Sequence, residues 1–122
     1  AGECEGTRGP VTDIFTEPEY LDVTLAENGL FQRLTPVDHT VLLYAIDGSG
    51  TSAAAAVSNR QMVLYGSGRE ISVRAGPDGL RYLLLSGKPL KEPIAWRGPI
   101  VMNTEEELET AFREYQQGNF IK

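Results

Sequence analysis

Apolar and polar residues alternate over Tyr20–Leu25: Leu21, Val23 and Leu25 fall on one side, Asp22 and Thr24 on the other. A period of two predicts a half-buried strand, and Glu27-Asn28-Gly29 ends it with a turn. The pattern resumes over Leu30–Leu34 and stops at Thr35-Pro36. Upstream, Val11–Phe15 reads as a short strand, broken by Pro18, which cannot donate to a ladder. Thr40–Ile46 is apolar on both faces, as a central strand is. Asp47-Gly48-Ser49-Gly50 supplies the positive-φ positions of a tight hairpin. Thr51–Ser58 holds four alanines but lacks the length and cap of a helix, so it reads as an edge strand. Gln61–Tyr65 is a strand stopped by Gly66-Ser67-Gly68. Arg69–Ala75 alternates again, Gly76–Gly79 reads as a turn, and Leu80–Gly87 is a continuous apolar strand. Short strands with a turn about every ten residues predict an all-β sandwich or small barrel.

After Gly87 the pattern changes. Lys88–Pro99 is proline-rich and reads as an extended connector. Thr104 then stands three residues before Glu107, the spacing of a capping box. Glu105, Glu106 and Glu107 place negative charge in the first turn, where the helix dipole favours it. Leu108, Ala111, Phe112 and Tyr115 fall at i, i+3, i+4 and i+7, one apolar stripe, and Gly118 is positioned to close the helix. One C-terminal helix over 104–118 is expected, its stripe covering a sheet face or a second body.

Length and composition narrow this picture. A chain of 122 residues suits one domain with a sizeable core. The net charge is −6 and the basic residues are scattered, which argues against direct nucleic-acid binding. No apolar run approaches the roughly 20 residues of a membrane-spanning helix. One cysteine, Cys4, rules out an internal disulfide and fits a reducing, cytoplasmic setting. Residues 1–10 are rich in glycine and charge, read as a leader or linker, and lack the basic-then-apolar pattern of a signal peptide.

Candidate chemistry is sparse. Zinc and non-haem iron sites need several convergent His, Cys or carboxylate ligands, and the chain holds one His and one Cys. Asp38-His39 reads as a loop pair at a strand entrance. No serine sits in a nucleophile elbow. Glu3 and Glu5 beside Cys4 disfavour a thiolate. Neither Asp47–Gly50 nor Gly66–Ser72 carries the Lys-Ser/Thr of a phosphate-binding loop. Tyr44, Tyr65 and Tyr82 lie on expected strands, where aromatics mostly fill cores.

The C-terminal third is more specific. Gly87, Pro89, Leu90, Glu92 and Pro93, followed by Gly98–Thr104 ("GPIVMNT") and an acidic helix, resemble the end of the pirin family. Ile100 stands where that family usually has Phe. "YLDVTL", "HTVLLYAIDGSG" and "AGECEGTRGPV" are similar to other pieces of the same C-terminal half. The resemblance implies a cupin-like jelly roll, the C-terminal domain of a bicupin. The family's iron is held by three His and a Glu of the N-terminal domain, which lies outside this chain. The corresponding cupin positions here fall near Thr35, Val37 and Val41, and near Leu80, Arg81 and Tyr82, residues unsuited to a metal.

The function so implied is a metal-free structural and interaction half, with no cofactor of its own. The full-length parent would be an iron-dependent, quercetin 2,3-dioxygenase-like enzyme or a transcriptional cofactor. The expected partners are the N-terminal cupin domain, a transcriptional regulator and a second copy in a dimer. The expected location is the cytoplasm, or the nucleus in a eukaryote. Trp96, Met102, Phe112 and Tyr115 are the expected interdomain packing residues. The alternative is a small-molecule-binding cupin barrel acting on its own, its pocket formed by Arg33, His39, Tyr44 and Arg81.

Overall fold

The computed structural model describes residues 1–121. Contacts divide the chain into two compact units, Ala1–Pro89 and the segment from Leu90 onward.

The first unit is an antiparallel sandwich built on two long strands. Its strands are β1 (Glu3–Cys4), β2 (Thr7–Arg8), β3 (Glu19–Leu25), β4 (Leu30–Leu34), β5 (Thr40–Ser52), β6 (Ala55–Ser58), β7 (Met62–Leu64) and β8 (Glu70–Gly87). β5 and β8 pair from Thr40↔Gly87 to Ser52↔Val73. At one end β8 takes β3 as its outer neighbour, from Leu25↔Leu80 to Glu19↔Ser86. At the other it takes β4, from Leu30↔Arg74 to Leu34↔Glu70. β5 likewise pairs β7 near Leu42–Tyr44 and β6 near Ser49–Ser52. The result is two layers, β3-β8-β5-β7 and β4-β8-β5-β6, which share the long strands. Strands that pass from one layer to the next need a local bend, and bulges supply it.

The bend lies where two turns were expected. Register jumps from Gly48↔Leu80 to Gly50↔Ala75, so Ser49 alone stands opposite the four residues Gly76–Gly79. Asp47–Gly50 is therefore an internal kink of β5 and not a hairpin, and Arg69–Ala75 and Leu80–Gly87 form one strand. The glycines there are obligatory for close approach: a Cβ on Gly48 would lie 2.3 Å from the carbonyl oxygen of Gly79, and one on Gly50 2.3 Å from that of Arg74. The β5–β6 hairpin turns instead at Ala53-Ala54, both at positive φ (48° and 65°), inside the segment expected to be an edge strand.

The alternating pattern is what fills the interior. Val41, Leu43 and Ala45 of β5, Val57 of β6, and Ile71, Val73, Ala75, Leu80, Tyr82 and Leu84 of β8 form one buried cluster. Leu21, Val23, Leu25, Phe31, Val63 and Tyr65 close it from the flanking strands. Two short segments differ from expectation. Val11–Phe15 forms no strand: Asp13 is left-handed (φ 62°), which breaks an extended run. Residues 1–10, read as a linker, form a small hairpin, with Glu3 opposite Arg8 and Cys4 opposite Thr7.

The second unit contains β9 (Ala95–Arg97), β10 (Ile100–Met102) and α1 (Glu105–Gln117). The end of the expected connector is thus a strand, turned back through Gly98 at φ 58°. The helix is capped as the sequence predicts. The Thr104 side chain accepts from the Glu107 amide at 3.2 Å, and the Glu107 carboxylate accepts from the Thr104 amide at 3.0 Å. Gly118 closes it in the left-handed conformation. The apolar stripe covers the β9–β10 hairpin: Leu108 and Ala111 are buried with Ala95 and Ile100, and Met102 and Phe112 pack at the margin.

Candidate functional site

Three places hold the groups that could do chemistry or bind. The first is a groove beside the β1–β2 hairpin. The 11–18 loop is held there by the Lys88 amide donating to the Thr16 carbonyl at 2.8 Å. Its ammonium also lies 5.5 Å from the Phe15 ring centroid. The groove has a volume of about 440 Å³ and includes His39, Glu17, Glu19 and Pro36 in its walls. The His39 side chain is only 5 % exposed, and its Nε2 lies 4.0 Å from a carboxylate oxygen of Glu17. Its Nδ1 is buried with no hydrogen-bond partner.

Arg33 does not open into this groove. Its guanidinium grips Glu19, donating from Nε at 3.1 Å and also from Nη2. Further bonds run to the Glu3 carbonyl and the Cys4 sulfur. Both side chains of the pair are about one-fifth exposed (19 % and 18 %). The Glu19 carboxylate accordingly holds the guanidinium protonated above its ordinary range. Arg33 is thus a clamp that ties β4 to β3 and to the β1–β2 hairpin.

The second place is the sandwich interior. Tyr65 and Ser52 hydroxyls lie 2.6 Å apart, and the Ser52 hydroxyl donates to the Ser72 carbonyl at 3.1 Å. The Tyr82 hydroxyl is buried without a partner. Burial raises both tyrosine pKa values, and for Tyr82 the neighbouring Tyr65 adds to the rise. The interior is otherwise filled by aliphatic side chains and by Phe31, whose ring meets Tyr82 edge-on.

The expected four-residue pocket is therefore not assembled. Tyr44 is exposed on the outer face of β5. Arg81 is also outside, paired with Asp22 at 2.7 Å, where its guanidinium lowers the Asp22 pKa. Only His39 of the four lines a substantial groove. Strand alternation explains this: Tyr44 sits between inward-facing Leu43 and Ala45, and Arg81 between inward-facing Leu80 and Tyr82.

The third place is the outer surface of the second unit. Pro99, Ile100, Val101, Met102, Phe112, Tyr115 and Phe120 line an apolar groove of about 500 Å³. Trp96 (74 % exposed), Tyr115 (66 %) and Val101 (57 %) stand out from it or beside it. The Trp96 indole is fixed by a 2.7 Å bond to the Gly98 carbonyl, and Arg97 stacks over the Phe112 ring at 5.7 Å. Trp96, Met102, Phe112 and Tyr115, the residues expected to pack between domains, lie on or beside this surface. Val101 and Phe120 were missed, although the alternation of Ile100, Val101 and Met102 could have flagged Val101 as outward.

The family model for the pirin C-terminal cupin domain matches residues 20–121. The chain belongs to that family. A pirin-like protein of Caulobacter vibrioides is 36% identical over 115 residues, 94% of this chain and 41% of that protein. A Pseudomonas aeruginosa protein provisionally named a quercetin 2,3-dioxygenase is 43% identical over 107 residues, 84% of this chain and 37% of its own length. The crystal structure of quercetin 2,3-dioxygenase from Acinetobacter baumannii superimposes with a TM-score of 0.87 at 30% identity, over 98% of this chain and 42% of that one. The pirin domain described here thus spans about two-fifths of the length of the relatives it matches.

Among the described residues no three His, Cys, Asp or Glu side chains converge on a metal site. Of the residues expected from the resemblance to stand near cupin ligand positions, Val41, Leu80 and Tyr82 are part of the buried core.

Proposed function

We propose that this chain is the structural and docking half of a two-domain pirin. The other half holds iron and carries out quercetin 2,3-dioxygenase-like oxidation. The observation that carries this reading is the apolar surface of the second unit. Trp96, Val101 and Tyr115 are exposed beside a groove lined by Phe112, Met102 and Phe120. A monomer rarely leaves an apolar patch of that kind uncovered, and such patches mark interfaces. The occupant that fits is the remainder of the pirin chain, because relatives of this domain are more than twice its length.

The test is association of this chain with the separately produced N-terminal half of a full-length parent. Binding is followed by calorimetry, with iron quantified on each piece. A stable complex is expected, with iron confined to the N-terminal piece. Replacing Trp96 or Val101 by Glu should weaken association at least tenfold, since it forces a charge into a desolvated contact. One tightly held iron per copy of the isolated chain would overturn the reading. So would association that is indifferent to both substitutions.

A further inference from the structure

The outer edge of β3 is open along most of its length, yet a strand pairing has already begun on it at Ala1. We infer that this edge is an interaction surface for an extended segment, and that its occupant is the stretch of a longer pirin chain leading into Ala1, added to β3 as an antiparallel strand. The inference rests on the reading of this domain as one half of a longer chain, and it adds the place where the connecting segment is held.

The backbone sets direction and register. The Tyr20 amide donates to the Ala1 carbonyl at 3.1 Å, and the Ala1 amino group donates back to the Tyr20 carbonyl at 3.5 Å. Two residues exchange both bonds in this way when they stand directly opposite in antiparallel strands; parallel strands have slanted bonds instead. Gly2 lies against Glu19, where a Cβ would come within 3.2 Å of the Glu19 Cα, as the same register requires. Continued upstream, the register puts the first residue before Ala1 opposite Leu21, the second opposite Asp22 and the fourth opposite Thr24. Bonding direction alternates along a strand, so Asp22 and Thr24 turn their amides and carbonyls to the same edge as Tyr20. β8 occupies the other edge of β3. Among the described residues no backbone group pairs with Asp22 or Thr24 on the open side.

The choice of occupant follows from the tether. β3 keeps one register against β8 from Glu19 to Leu25, with no bulge and no proline, so its edge is a regular template for another strand. The family matched by this chain is that of a C-terminal domain, so the remainder of such a pirin precedes it, and the relatives are more than twice its length. A segment joined to Ala1 is already in register and pairs without closing a new loop. A free peptide or a second copy has no such advantage. Side chains opposite Leu21 and Val23 would extend the half-buried inner face of β3, and those opposite Asp22 and Thr24 its exposed face.

The experiment compares amide hydrogen exchange in two forms. One starts at Ala1; the other also carries the stretch that precedes Ala1 in its parent, about six residues, the length of a typical strand. Neither form contains the N-terminal domain, so the outcome is independent of docking through Trp96 and Val101. The Asp22 and Thr24 amides are expected to exchange about tenfold more slowly in the extended form. The Leu21 and Val23 amides, which face β8, should change little and serve as the control. Proline at the second added residue removes the N–H that bonds the Asp22 carbonyl, and should abolish the protection. Asp22 and Thr24 amides that exchange equally fast in both forms would overturn the inference. A uniform gain at every β3 amide would do the same. So would protection in the short form that grows with protein concentration, since the edge would then belong to a second copy.

Discussion

The two units solve the problem of burying apolar surface in opposite ways. The unit up to Pro89 closes on itself: two long strands bend across both layers, and the inward positions of β5 and β8 meet in one continuous core. Among its described residues, the unit from Leu90 buries Ala95, Ile100, Leu108 and Ala111 alone. It leaves Trp96, Val101 and Tyr115 largely outside. A core that small supplies little stabilisation, because a smaller unit buries a smaller fraction of its surface. The difference separates a unit with one continuous core from a unit whose larger apolar side chains stay at its surface.

Truncation in each core tests the contrast most directly. Leu43→Ala, at a site with no exposure, is expected to cost about 3 kcal/mol and to lower the melting temperature of the whole sandwich. Leu108→Ala removes the same atoms from an equally buried site. Its effect should stay local: hydrogen exchange of the 105–117 amides accelerates, and protection in β5 and β8 is kept. A single cooperative transition affected alike by both substitutions would erase the distinction.

Arg33→Ala ranks next. It leaves the mostly buried Glu19 carboxylate without its cation and frees the Glu3 carbonyl. The expected loss is about 2 kcal/mol, measured by denaturant unfolding. Amides of the β1–β2 hairpin should lose protection first. Arg81→Ala is the internal control. Its exposed pair with Asp22 should change stability little.

How much of this was legible depended on whether a feature is local. The helix, its Thr104–Glu107 box and its Gly118 closure depend on residues three or four apart, and all three were read correctly. The alternating strands were legible for the same reason. The bend was not. Asp47–Gly50 and Gly76–Gly79 look like turns in isolation, and they become paired kinks only because β5 and β8 lie side by side. Arg33 shows the same limit at the candidate site. It reads as a pocket residue on a strand until the fold brings Glu19 and the β1–β2 hairpin against it. Ala53-Ala54 hid a turn because alanine is a poor signal for positive φ.

Smaller effects sharpen each side. Tyr82 carries an orphan hydroxyl in the sandwich core, and its pKa is raised above the ordinary value of 10.0. Above pH 10 the unfolded chain releases this proton while the folded chain retains it, so stability falls as pH rises. Tyr82→Phe should flatten that alkaline loss. At neutral pH it should be neutral or stabilising by up to about 1 kcal/mol. A mutant that keeps the full alkaline slope would shift the cause to Tyr65, whose pKa is also raised by burial. In the second unit, Thr104→Ala should cost about 1 kcal/mol of helix stability, read from the exchange of the first-turn amides.

The smallest effect probes one of the turns in which the first unit holds non-glycine residues at positive φ. Ala53 and Ala54 close the β5–β6 hairpin with φ of 48° and 65°, and Ser52 pairs with Ala55 across them. Positive φ at both central residues is the signature of a type I′ turn, which favours Asn-Gly. A left-handed residue with a Cβ costs roughly 1 kcal/mol relative to glycine. Ala54→Gly removes that strain, and the greater freedom of glycine in the unfolded chain offsets part of the gain. The net expectation is stabilisation by about 0.5 kcal/mol, seen as a small rise in the sandwich melting temperature. Protection of the 105–117 helix should not change. A rise shared by both units would mean that the hairpin and the helix unfold together, and the contrast between the two units would then be one of surface alone.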